Sequence, residues 1–257
     1  MARSKKLRVL VTNDDGIFAP GLAVMEKIAA SLTSDVWVVA PEFEQSGAAH
    51  SLTLHVPLRD RHVGPRRFAI RGTPTDCVML ACNLLMKDHR PDVILSGVNR
   101  GSNLGEDVTY SGTVAAAMEG SILGIPSIAL SQTFRNAKRV RWETALKYGP
   151  GLVKRLLALG WPSDVLININ FPDVPSGKVR GERVTRQGRR FTSDLIIESR
   201  IDARNQPYHW FGFRPREGDP APDTDLYAVG HGLVSVTPLH LDLTHVETAA
   251  KLRRAIG

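Results

Sequence analysis

Residues 7–22 read LRVLVTNDDGIFAPGL. The first six are an apolar, β-branched run that stops at an Asn-Asp-Asp-Gly cluster, the pattern of a buried strand delivered into a turn. Helical spacing follows from about Pro20 to Leu32, and VWVVA (36–40) is a second buried strand. RFAIRG (67–72) alternates as a third strand, and DCVMLACNLLM (76–86) continues as a helix with Thr75 as its candidate cap. Then come DVILSG (92–97), a glycine-rich loop, a helix from about Gly112 to Leu123, and the strand IPSIALS (125–131). A helix from about Trp142 to Leu159 leads to DVLININFP (164–172). Apolar strands separated by helices specify a mostly parallel sheet covered on both faces. Residues 7–172 are therefore expected to form a Rossmann-like three-layer α/β/α core. Beyond Pro172 the pattern changes to short strand-like pieces such as RVTRQG, YHWFGF and GLVSVTPL, broken by Gly, Pro and charge. Residues 173–257 read as a hairpin-rich arm closed by a short helix near 245–256.

Composition bounds the function. The chain has 257 residues, 42% hydrophobic and 23% charged, which excludes disorder as its main state. No run of about 20 apolar residues offers a membrane span. The opening MARSKK is basic, but Asp14 and Asp15 interrupt the stretch where a signal peptide needs apolar length, so a cytoplasmic location is expected. Cys77 and Cys82 lie five apart in one expected helix, a spacing that sets them on different faces as buried free thiols. The formal net charge is +7. Ten Lys and Arg against four acids between Lys178 and Arg216 carry much of it. That cluster either steers anionic ligands or is a solvated arm or subunit contact. No aromatic-interleaved motif accompanies it, so nucleic acid is not expected as the main partner.

Three constellations carry chemistry. Asn13-Asp14-Asp15-Gly16 falls at the carboxyl end of the first strand, where ligands of open α/β sheets bind. Adjacent side chains on a regular strand diverge, so the two acids converge only if Gly16 turns the chain. At 4 Å two carboxylates repel by about 4 kcal/mol at an effective dielectric of 20, and a divalent cation converts that repulsion into ligation. The plain alternative is an Asx-turn feeding a helix. Ser46-Gly47 follows the second strand and is either only a turn or a hydroxyl placed to reach the same crevice. The third stretch, SGVNRGSNLGEDVTYSGTVAAAMEG (96–120), sets Gly97, Gly101, Gly105 and Gly112 with Asn99 and Asn103 ahead of an Ala-rich helix. Free N–H groups at its start, Ser111-Gly112-Thr113, suit an anion; Ser111 or Thr113 is equally an ordinary N-cap. Walker, dinucleotide and nucleophile-elbow motifs are all absent from the sequence. The eight histidines lack zinc spacing, which favours an oxygen-only Mg²⁺ or Mn²⁺ site.

Taken together, VLVTNDDGIFAPGL, SGAAHSLTL, GTPTDCVMLA and the long third motif resemble the SurE family of 5′/3′-nucleotidases, and the likeness runs through LININFP and RVTRQG to TDLYAVGHGLVSVTPLHLDLT. The resemblance spans about residues 7–245. It implies one divalent metal ion per subunit, Mg²⁺ or Mn²⁺, with ligands on Asp14, Asp15, Ser46 and Asn99. It implies hydrolysis of nucleoside monophosphates, and of short polyphosphate in some members, by a homodimer or homotetramer built through carboxyl-terminal arms. On that footing Asp14 or Asp15 orients or deprotonates the attacking water. Asn103, Ser111, Gly112 and Thr113 are the expected partners of the phosphoryl oxygens. A non-enzymatic nucleotide or phosphate sensor is the alternative that uses the same loop without turnover.

Overall fold

The computed structural model describes residues 6–136, 138–189, 194–214 and 218–256. In chain order the elements are β1 (Arg8–Thr12), α1 (Pro20–Ala30), β2 (Asp35–Pro41), β3 (Asp60–Gly64), β4 (Arg67–Ile70), α2 (Pro74–Leu80), β5 (Val93–Arg100) and α3 (Gly112–Ile122). They continue with β6 (Ser127–Gln132), α4 (Trp142–Leu159), β7 (Val165–Phe171), β8 (Glu182–Val184), β9 (Asp194–Ile201), β10 (Pro207–Arg214), α5 (Asp225–Gly230), β11 (Val234–His240) and α6 (Val246–Ile256).

Among the described residues nine strands form one sheet in the order β3-β4-β2-β1-β5-β6-β7-β11-β8. The run from β4 to β7 is parallel, and β3 and β11 join its two ends antiparallel. Period-two alternation explains the layers. Val9 and Val11 of β1 face α1 and α4 with Leu22, Met25, Ile28 and Leu152, while Leu10 faces α2 and α3 with Cys77, Val78 and Ala116. The chain leaves β1 for β2 on one side and later returns to β5 on the other. Their carboxyl ends thus border a topological switch point, the crevice where such sheets bind ligands.

Several expectations need correction. The cap of α2 is Thr73, not Thr75: its Oγ1 accepts the Asp76 N–H at 3.2 Å while its own N–H donates to Asp76 Oδ2 at 2.8 Å. Pro74 explains the shift, because proline prefers the first helical position and Thr75 is already inside the turn. The sheet also runs across the expected division at residue 172. β11 pairs with β7 from Ser235 opposite Asn170 to His240 opposite Val165, and β8 adds beyond it. What stands apart in the arm is the β9–β10 hairpin, a separate two-stranded sheet, and α6, which buries none of its residues. Cys77 and Cys82 are free and buried, as expected. Among the described residues no helix is long and apolar enough to cross a membrane.

Candidate active site

At the end of β1 the side chain of buried Asn13 makes the turn, its Nδ2 donating to the Gly16 carbonyl at 2.9 Å. Gly16 adopts φ +101°, the left-handed region open to glycine, and a Cβ there would lie 3.4 Å from the Phe43 backbone. The turn and the acid pair are therefore one device: the Asn13 amide closes the turn as a donor, which is not the Asx-turn offered as the plain alternative. Asp14 is 4% exposed and Asp15 partly buried. Burial raises the Asp14 carboxyl to about 6; hydrogen bonding from Thr113 pulls it down and the charge of Asp15 pushes it up. Asp15 is also raised, first by burial, against a hydrogen bond from the Arg100 backbone.

Backbone hydrogen bonds tie the segments that carry Ser46 and Asn99 to Asp14 and Asp15. After β2 the Gln45 N–H donates to the Asp14 carbonyl at 2.8 Å, which sets Ser46 one residue from the acid pair. After β5 the Arg100 N–H donates to Asp15 Oδ2 at 3.1 Å, which sets Asn99 one residue away on the other side. The β5–β6 register slips between Gly97 and Asn99, a bulge of the kind that re-aims a side chain next to a site. Asn99 Nδ2 donates to the Gly101 carbonyl at 3.2 Å, so Oδ1 is the atom it would offer a cation. Ser46, exposed, donates its hydroxyl to Glu44 Oε1 at 2.9 Å.

These residues fit a hard divalent cation. Two carboxylates, one of them almost wholly desolvated, would be joined by the Ser46 hydroxyl and the Asn99 amide oxygen, whose neighbours in the chain are bonded to Asp14 and Asp15. The set is all oxygen and doubly negative, which suits Mg²⁺ or Mn²⁺ rather than zinc. Among the described residues no three His, Cys, Asp or Glu gather as an alternative metal cluster.

The expected phosphate-side residues take more specific parts. Ser111 is the N-cap of α3, its Oγ accepting the Val114 N–H at 3.1 Å. Thr113 donates its hydroxyl to Asp14 Oδ1. A Cβ on Gly112 would lie 2.8 Å from Asp14 Cβ, so only glycine lets the helix start close on the carboxylate. Asn103 sits deeper than its expected role requires. Its Nδ2 donates to Ser131 Oγ at 2.8 Å, its N–H donates to Asn170 Oδ1 at 2.8 Å, and its carbonyl accepts from Asn168 and Asn170 at 2.8 and 3.1 Å. Asn168 and Asn170 were missed from sequence, although two amides alternating on one face of the apolar strand LININFP were the available signal. The GTPTD turn is also an anchor: Thr73 Oγ1 donates to the Ser51 carbonyl at 2.8 Å and Asp76 Oδ1 accepts the Thr53 N–H at 3.1 Å. It thereby pins the loop that follows Ser46.

This arrangement has close relatives. The family model described as Survival protein SurE matches residues 9–194. A 5′-nucleotidase SurE of Parvibaculum lavamentivorans is 58% identical over 261 residues, covering 100% of this chain and 94% of its own length. One from Caulobacter vibrioides is 54% identical, covering 98% and 97%. The crystal structure of the SurE protein from Aquifex aeolicus superposes with a TM-score of 0.84 at 40% identity, over 97% of this chain and 100% of that one. With the motifs, the switch-point acid pair and these matches in agreement, the chain belongs to the survival protein SurE family.

Proposed function

We propose that the chain is a metal-dependent phosphomonoesterase that hydrolyses nucleoside 5′-monophosphates to nucleoside and phosphate, with 3′-monophosphates and short polyphosphate as further substrates. The observation that carries this reading is the buried Asp14 beside Asp15, at the carboxyl end of β1 between its neighbours β2 and β5. Relatives covering nearly the whole chain are named 5′-nucleotidases. Asp14, Asp15, Ser46 and Asn99 would hold the cation, Mg²⁺ or Mn²⁺, which when bound supplies Lewis-acid stabilisation of the phosphoryl charge. Thr113 fixes Asp14 through Oδ1 and the Arg100 N–H fixes Asp15 through Oδ2, so each carboxylate presents its other oxygen to water or cation. One of these oxygens orients the attacking water and takes its proton. The start of α3, drawn onto Asp14 by Gly112, brings the positive end of a helix to the anionic phosphoryl group.

The same reading gives the arm an assembly role. A two-stranded hairpin alone is marginal in water, and this one leaves Ile197, Ile201, Trp210 and Phe211 exposed. A second copy of the chain is the partner we infer, giving a homodimer or homotetramer. A cytoplasmic location accords with two cysteines that stay free.

The test is phosphate release from a panel of 5′- and 3′-monophosphates and short polyphosphates with Mg²⁺, Mn²⁺ or chelator. Metal-dependent release, highest on 5′-monophosphates, is expected. Tight binding of a monophosphate with no metal-dependent product would make the protein a sensor instead.

A further inference from the structure

Asp225 opens α5 and has no solvent exposure. Its Oδ2 accepts the Gly105 N–H at 2.9 Å, and its Oδ1 accepts the N–H groups of Gly188 and Leu226 at 2.8 Å each. A buried carboxylate is tolerated when its lone pairs are met in this way. The donors come from separate parts of the chain. Leu226 belongs to Asp225's own helix, Gly188 to the stem leading into the hairpin, and Gly105 to the loop between Asn99 and Ser111. The Gly105 carbonyl is held as well, accepting from Gln187 Nε2 at 2.9 Å. The stem is zipped to the start of α5 by the Arg186 N–H on the Asp223 carbonyl at 3.0 Å and the Asp225 N–H on the Arg186 carbonyl at 3.1 Å. Nothing here is loose: a Cβ on Gly188 would lie 2.8 Å from Asp225 Oδ1.

We propose that Asp225 is a positioning residue for the hydrolytic site, fixing the Asn99–Ser111 loop to the base of the arm so that the loop's placement depends on the seating of the arm. The inference rests on the hydrolase reading above and extends it to a residue outside the crevice. Asparagine at this position has one acceptor oxygen. Its NH₂ must confront either the Gly105 N–H or those of Gly188 and Leu226, so it holds the loop or the stem but not both.

Asp225→Asn, Gly188→Ala and the double variant test this by two readouts: kcat and KM on a nucleoside 5′-monophosphate at saturating Mn²⁺, and amide hydrogen exchange over residues 101–110. Each single variant is expected to lower kcat/KM at least about tenfold, chiefly through kcat, and to speed exchange in that loop while α1 and β2 stay protected. The double variant should be no worse than the poorer single one, because both break one clamp. Gln187→Ala, which removes only the bond to the Gly105 carbonyl, covers the case in which Asp225→Asn does not fold, with a smaller change in the same direction. A lowered melting temperature with kinetic constants per folded molecule within about twofold of wild type and unchanged loop exchange would overturn the proposal. So would additive losses in the double variant. Wild type runs alongside: its failure to release phosphate would reject the hydrolase reading, while loop exchange alone still decides whether Asp225 holds the loop.

Discussion

Val9, Leu10 and Val11 in the central strand have no solvent exposure, whereas Trp210 and Phe211 in the hairpin are 63% and 71% exposed. Both stretches are apolar, so composition does not explain the difference; partners do. β1 has β2 and β5 on its flanks and helices over both faces, while among the described residues β10 pairs only with β9. Covering each hairpin aromatic would contribute about 2 kcal/mol, stabilisation the hairpin sheet leaves unrealised. The core is self-sufficient and the arm is not. Yet the core contains an energetically costly group, the desolvated Asp14 beside a second acid. A region that meets its own packing needs can carry an unfavourable charge for chemistry, and a region that does not must seek a partner.

Asp14→Asn breaks this contrast most sharply. Phosphate release from a nucleoside 5′-monophosphate should fall by about 10³-fold or more. The melting temperature should hold or rise, because a buried charge facing Asp15 has become neutral. Phosphate release and thermal unfolding of one preparation check both halves. Near-normal turnover would remove Asp14 from the chemistry, and a lowered melting temperature would remove the charge penalty assigned to it.

Trp210→Ser probes the other region. It should weaken subunit assembly by about 2 kcal/mol, or about thirtyfold in dissociation constant, as an exposed aromatic anchor would. Sedimentation across a concentration series measures it. An unchanged mass distribution would detach the hairpin from assembly.

How far each region was legible follows from the range of its interactions. The bounds of α4 and the buried run of β1 were readable because local sequence decides them, and Ser111 was one of the two caps offered for α3. The acid pair was readable because a turn at a strand end is local too, and Ser46 and Asn99 came from the order of motifs in the family resemblance. Charge-rich β3 was missed because an edge strand needs no apolar run, and α5 because six residues make too little helical period. The return of β11 to β7 and the Asp225 clamp could not be read locally. Asp225 and Gly105 are 120 residues apart, and no spacing rule brings them together. Asn103 illustrates the same point within the site: residue type and position suggested a ligand contact, while partners 65 and 67 residues on make it an anchor.

The smallest expected effect lies at the amino end of β2, away from the crevice, and asks whether the core's polar bonds outside the site behave as ordinary stabilisers. Asp35, with a side chain 12% exposed, accepts Arg8 Nε at 3.0 Å and Arg66 Nη1 at 2.8 Å. Burial works to raise its carboxyl, but the hydrogen bond and charge of Arg8, with the charge of Arg66, outweigh it and hold the group below its ordinary value. A depressed acid contributes stability that is fully present above the unfolded-state value of about 3.9 and is lost as pH falls through the lower folded-state value. The stability gap between wild type and Asp35→Asn should therefore be constant from neutral pH down to about 5 and shrink on further acidification. Its size should be about 1 kcal/mol, since both arginines keep access to water. Urea unfolding at a series of pH values measures the gap, and phosphate release should be unaffected because β2 carries Asp35 at the end opposite Ser46. A gap that stays constant below pH of about 4 would mean that Asp35 acts through packing rather than through its charge.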